Sequence, residues 1–283
     1  MTSSTPPLLF DLNALRRQRR RAERMGAATF LRDRVSEDLA ERLAVVVRDF
    51  PFAVDLGTPG VTLADPQAVR ISQLTHVDLL DAPGEALGLM PESLDLVLSV
   101  LGLHLVNDLP GVMAQVRRAL KPDGLFLAAL LGGDTLTELR QSFAAAEAEV
   151  EGGVSPRVAP FADLRDLGAL LQRAGFALPV ADVDRIVVRY DNAFALMQDL
   201  RRMGATNVLI ERRKSFSRRS TLLRMAQIYS ERFADPDGRI RATFDVVWLS
   251  GWAPHESQQK PLKPGSAQMR LADAVRGKSD PSS

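Results

Sequence analysis

Apolar positions recur along this chain in two alternating rhythms. Phe30, Leu31, Val35, Leu39, Leu43 and Val46 or Val47 fall at helical spacing, and the pattern predicts a helix that Pro51 closes. Residues 52–57, FAVDLG, are a continuous apolar run ending on Asp55 and a glycine, as expected of a strand buried on both faces. The stretch 61–90 is less regular and predicts two short β-like pieces, near 69–74 and 76–80. Beyond it, PESLDLVLS (91–99) reads as a turn and then a buried strand starting at Asp95. Residues 109–120 form an amphipathic helix, KPDG (121–124) its C-terminal turn, and 125–131 a wholly apolar strand. Gly132 and Gly133 end that strand, and Asp134 or Thr135 is placed to cap a helix to about Glu151. Further helices are predicted over 164–174, 193–203 and 218–233, and strands over 180–190 and 242–250. Alternation of strand and helix implies an α/β fold with a doubly wound, mostly parallel sheet.

The two ends differ from this centre. Asp11 can cap a helix through the basic run RRQRRRAER (16–24), which Gly26 would end. That run reads either as a phosphate or polynucleotide patch, as a targeting peptide, or as a solvated face clamped over a domain edge. From Pro254 onward the chain turns to Gln, Lys, Pro, Gly and Ser without periodicity and reads as a tail. The expected organisation is a helical extension over 1–50, one α/β domain over 51–253 and a tail over 254–283.

Composition narrows the chemistry. Lysine and arginine number 36 against 35 acidic residues, so no global field favours nucleic acid, and no nucleic-acid partner is expected. Cysteine is absent, which excludes disulfides, thiolate nucleophiles and Cys-type metal centres and makes cytoplasm the default compartment. Histidines stand at 76, 104 and 255, none at metal-ligand spacing from another. No run reaches the roughly 20 apolar residues of a membrane span. A strand that stops at a carboxylate and a glycine turn puts an acid and backbone N–H groups where α/β sheets bind ligands. Here Thr58 and Pro59 separate Gly57 from Gly60, and the proline removes one N–H donor.

The element order, with DLG after the first strand, PESLDLVLS, KPDGLFLAAL and a final pair of strands, resembles the class I S-adenosylmethionine-dependent methyltransferases over residues 30–252. The strings PESLDLVLSVLGLHLVNDLPG, LKPDGLFLAALLGGDTLTELR, GGVSPRVAPFADLRDLG, RRMGATN and GWAPHESQQKPLKPGSA resemble the branch of the respiratory complex I assembly methyltransferase-like proteins. The malonyl carrier-protein methyltransferase of biotin synthesis is the neighbouring branch. The resemblance implies a Rossmann-like, seven-strand-like sheet that binds S-adenosylmethionine across the ends of its first, second and fourth strands. Asp55, Gly57 and Gly60 would form the first loop, and Ser99, Leu101 and Gly102 the floor after the fourth strand. Gly57 and Asp95 are only 38 residues apart, too few for the expected helix, strand, helix and strand, so the sheet is expected to be shortened after the first strand. Asp78, 21 residues beyond Gly57, is either the ribose-binding acid or a third-strand residue.

Other residues carry two readings each. His104 is a weak catalytic candidate, either a general base or a hydrogen-bonded buried histidine. Asn107 and Asp108 suit caps of the next helix. Asp134, Thr135, Glu138 and Arg140 lie where a substrate wall forms, and Glu138 and Arg140 serve equally as exposed helix charges. ERRKSFSRR (211–219) is either a surface for an acidic carrier, phosphate or partner, or a solvated loop. Trp248 and Trp252 read as core and rim packing. Three functions follow: modification of, or assistance to, a protein subunit of respiratory complex I; a non-catalytic assembly scaffold; and carrier-protein or small-molecule methylation. The sequence fixes no oligomeric state.

Overall fold

Period-two alternation in the apolar strands supplies two cores at once. In the computed structural model, which describes residues 8–60 and 62–258, Ala53, Leu96, Leu98, Leu125 and Leu127 point to one face of the sheet. Val54, Leu56, Val97, Phe126 and Ala128 point to the other. A strand buried on both faces has no polar side to spend, which is why these runs are uninterrupted.

The elements in chain order are α1 (Leu12–Arg24), α2 (Phe30–Ala44), β1 (Phe50–Leu56), β2 (Ile71–Val77), β3 (Leu94–Val100), α3 (Leu109–Ala119), β4 (Leu120–Leu131), α4 (Thr137–Glu151), α5 (Leu164–Arg173), β5 (Ala177–Tyr190), α6 (Ala193–Arg202), α7 (Arg219–Phe233) and β6 (Ile240–Trp252). The sheet order is β2-β1-β3-β4-β6-β5. The first three pairings are parallel, and β6 runs antiparallel to both β4 and β5. Helices α2, α4, α6 and α7 cover one face; α3 and α5 cover the other. Helix α1 packs separately, through Ala14 and Leu15, on Leu80, Val208 and Leu209.

The sheet has six strands among the described residues, not seven. Between β1 and β3 the chain supplies one strand and two 3-10 turns, Gln67–Val69 and Pro83–Glu85, so the expected shortening is the loss of one strand and of both helices, with the short turns standing in the helices' place. The two β-like pieces at 69–74 and 76–80 are therefore the single strand β2. Its half-exposed edge position tolerates the Ser, Gln, Thr and His that broke the pattern. Pro51 lies inside β1 rather than closing α2, which ends at Ala44; β1's first residues are exposed apart from Phe50. KPDG belongs to the start of β4 rather than to a helix turn, with Asp123 at φ 65°. Neither Asp134 nor Thr135 caps α4 with its side chain. The Thr135 hydroxyl instead donates to the Asp245 carbonyl, and Asp134 pairs with Arg185. The expected tail falls mostly outside the described residues. No helix among the described residues is long and apolar enough to cross a membrane.

Candidate functional site

The carboxyl ends of β1, β2, β3 and β4 meet beneath α1. After β1 the chain turns through Gly57 and Gly60 at φ 71° and 91°, conformations that favour glycine. A Cβ on Gly102 would lie 2.6 Å from the Gly57 carbonyl oxygen, so the loop after β3 and the loop after β1 pack backbone on backbone. Asp55, 2% exposed, is wholly engaged. One carboxylate oxygen accepts from the Thr58 hydroxyl at 2.5 Å and the other faces His76 Nδ1 at 2.8 Å. Thr58 in turn accepts the Val100 N–H, and the Ser99 hydroxyl donates to the Leu56 carbonyl. This buried network fixes the two loops to each other.

Above it lies a cavity of about 340 Å³, within the range of small-molecule sites. Gly60, Asp78, Leu101 and His104, four of the residues expected from the sequence, share its wall with Thr58, Pro59 and His76. Asp55, Gly57, Ser99 and Gly102 do not line it; they sit beneath, holding the loops that do. Asp78 directly follows β2. Its Oδ1 accepts from Leu80 N–H at 2.9 Å and lies 3.5 Å from Arg19 Nη1, while Oδ2 accepts no hydrogen bond among the described residues. Burial holds the Arg19 guanidinium below its ordinary pKa, with Asp78 opposing that shift. Arg32, which donates to the Pro59 carbonyl, stands against Gly60.

The roof explains the basic run. Arg16 donates to the Leu80 carbonyl, Gln18 to the Asn207 carbonyl, and Arg19 faces Asp78, so α1 is strapped over the cavity by its own charged face. Asp11 caps it, and Arg212 from the run 211–219 binds the other oxygen of that carboxylate. Arg202, Met203, Gly204 and Ala205, within the string RRMGATN, form the opposite wall. Arg202 donates to the Gly26 carbonyl, and Gly204 lets the Arg19 backbone approach, a Cβ there lying 3.4 Å from Arg19 Cα.

A second cavity of about 350 Å³ adjoins the first and shares five lining residues with it, among them His104, Leu131 and Phe244. Burial, aided by the Arg19 guanidinium, pushes the His104 imidazole down to about 3, so it is neutral at ordinary pH. Its Nδ1 is buried without a partner, and its ring leans on Phe161. Sequence reasoning missed the interior of this cavity because its residues come from α4, α6 and the loops around 158 and 206. Two further expectations change. Glu138 is buried rather than an exposed helix charge, accepting from the Thr243 hydroxyl at 2.5 Å and from its N–H at 3.2 Å. Asn107 does not cap α3, a role Asp108 fills; its side chain accepts from Leu9 and Phe10 N–H and so ties the loop after β3 to the segment entering α1.

Comparison with known proteins bears on the family and the fold. A model of the methyltransferase domain matches residues 35–128. The zebrafish (Danio rerio) protein "Arginine-hydroxylase NDUFAF5, mitochondrial" is 37% identical over 94% of this chain and 89% of its own length. The human protein of that name is 38% identical over 94% of this chain and 83% of its own. A malonyl-[acyl-carrier protein] O-methyltransferase of Laribacter hongkongensis is 40% identical over 66% of this chain and 60% of its own length. Among solved structures, the YcgJ protein of Bacillus subtilis superposes with a TM-score of 0.51 at 14% identity, over 77% of this chain and 99% of its own, a likeness of fold.

Proposed function

The chain belongs to the family of the NDUFAF5 arginine hydroxylases, built on a methyltransferase domain, and from that premise we propose that it binds S-adenosylmethionine and modifies an arginine of a protein subunit during respiratory complex I assembly. The observation that carries the cofactor reading is Asp78. It stands at the end of β2, in the wall of a cavity of about 340 Å³, with one carboxylate oxygen uncommitted. A carboxylate there suits two vicinal ribose hydroxyls, because it accepts from both. Arg32, beside Gly60 in the same wall, pairs with the Asp33 carboxylate and donates to the Pro59 carbonyl, so its guanidinium would meet the amino-acid carboxylate of the cofactor only by sharing that pairing. Leu101, Leu131 and Phe244 give apolar surface for the rest, and His104 offers its unpaired Nδ1.

Bound there, the cofactor carries a methyl group on a sulfonium, whose reactivity depends on alignment more than on acid or base help. The residues of this chain accordingly bind, orient and exclude water. Helix α1 lines one side of the cavity and is tied through Gln18 and Asn207 to the string that supplies its opposite wall, and the Asp55–Thr58–His76 network holds the glycine loop in place. The protein acts from the cytoplasm, reaching the membrane through its complex I partner.

A second reading has its own observation. Both oxygens of Asp55 are committed within the fold, and Pro59 offers no N–H, which suits an assembly scaffold that has lost catalysis. A strain lacking the gene separates the two. Mass spectrometry of its complex I subunits should show one arginine losing an added oxygen, an insertion that the sulfonium methyl does not supply and that requires dioxygen and a two-electron reductant from outside the chain, with water as the co-product; the wild-type chain should restore it and Asp78→Ala should not. Full restoration of complex I by Asp78→Ala would favour the scaffold; normal complex I in the deletion strain would refute both.

A further inference from the structure

The second cavity carries a charge pattern that the family name does not anticipate. Five arginines line it, Arg21, Arg157, Arg201, Arg212 and Arg213 among them all, and among the described residues no aspartate or glutamate does. Three of these arginines are compensated from behind. Arg157 pairs with the buried Glu147, Arg212 with Asp11 and Arg213 with Glu151. Arg21 and Arg201, both exposed at the rim, make no ion pair among the described residues. The interior is apolar, built from Leu139, Phe143, Phe161, Met197 and Leu200.

Low-dielectric walls around charges of one sign focus the field into the cavity and concentrate counter-ions there. A guanidinium entering it would meet only like charges and no acceptor carboxylate, whereas an anion would meet planar donor forks that suit carboxylate oxygens. The neutral His104, placed where the two cavities meet, adds an uncharged polar contact through Nδ1. The volume, about 350 Å³, fits a ligand with an apolar body rather than a bare inorganic ion.

We infer that this second cavity is a binding site for an organic carboxylate with an apolar body, held with its anionic end by the two uncompensated arginines, Arg21 and Arg201, beside the cofactor cavity. The inference rests on the cofactor reading only for what lies next door; the cavity and its charges stand without it. An arginine side chain of a protein substrate is not its occupant, so the modified residue must approach from elsewhere along the shared wall.

The test is calorimetric titration of the full chain, with and without S-adenosylhomocysteine, using octanoate and 4-phenylbutyrate as probes. Their primary amides, octylamine and Nα-acetylarginine amide serve as neutral and cationic counterparts. Carboxylates should bind at least tenfold more tightly than their amides, and the cations should not bind. Arg21→Gln together with Arg201→Gln should weaken the carboxylates at least tenfold and leave S-adenosylhomocysteine affinity unchanged; both arginines are exposed, so the fold survives. Equal binding of acid and amide, tighter binding of the guanidinium probe, no carboxylate binding at all, or indifference to the double substitution would each overturn the inference. Loss of S-adenosylhomocysteine binding with carboxylate binding intact would strike the cofactor reading alone.

Discussion

Replacing Gly102 by alanine tests the contact on which the whole edge depends. The added methyl would lie 2.6 Å from the Gly57 carbonyl oxygen, 2.7 Å from the Gly57 carbonyl carbon and 3.2 Å from the Leu56 carbonyl oxygen. All three are backbone atoms, so no rotamer change relieves the overlap, and one loop must move. Overpacking of this kind costs about 1–3 kcal/mol, and a backbone obstacle belongs at the upper end. The conformation itself is no obstacle, since Gly102 has φ −103°, and the less flexible unfolded chain returns about 0.4–1 kcal/mol. The net loss is about 2 kcal/mol, or about 3–4 °C in Tm for a chain of this size. Because Leu101 and His104 flank the displaced residue, affinity for S-adenosylmethionine should fall in the same variant. Thermal melts beside Gly133→Ala provide the control, because nothing lies within 4 Å of a Cβ there. Should Gly102→Ala melt with Gly133→Ala and the wild type, the loops are not packed as described.

Two further outcomes follow from buried charge and from pH. Glu147→Gln removes the anion that holds Arg157 and the Ser155 N–H and hydroxyl, and it should cost about 3–5 kcal/mol in urea unfolding, as breaking a buried ion pair does. A change under 1 kcal/mol would show that the pair is solvated. His104 is held at about 3 in the fold against 6.5 ordinarily, so the folded state takes up its proton later than the unfolded chain. Its contribution is complete above pH 6.5 and is lost as pH falls toward 3. Between pH 6 and 4 the wild type should lose stability more steeply than His104→Gln, by up to about 1.4 kcal/mol per pH unit. Parallel pH profiles would mean that His104 is protonated in the fold.

The interior strands were legible because burial on both faces leaves an uninterrupted apolar run, as in 125–131, and helix α1 because Asp11 caps it; the caps of α5 and α6, Asp163 and Asn192, emerge only in the structure. Beta 2 was harder to read. It sits at the sheet edge with exposed Ser, Gln, Thr and His, so hydrophobicity did not mark its ends. The missing strand is legible as a short interval, 38 residues from Gly57 to Asp95. Glu138 was misread because its partner, Thr243, is 105 residues away. The residues in the first cavity divided for a reason the sequence does not encode. Those whose backbones turn over the sheet edge, Gly60, Asp78 and Leu101, reach the cavity, whereas Asp55 and Ser99, still within strands, hydrogen-bond to the loops from below. The arginine-lined cavity lay beyond sequence reasoning because four separate segments contribute its charges.

Whether the cavity beneath α1 takes S-adenosylmethionine is settled most directly by calorimetric titration of the purified full-length chain. The wild type should bind with micromolar affinity, and Asp78→Ala should weaken that binding at least tenfold while leaving the melting temperature of the unliganded protein within about 2 °C. No heat and no thermal shift at millimolar S-adenosylmethionine, or equal affinity in Asp78→Ala, would show that the residues at the end of β2 do not hold the cofactor.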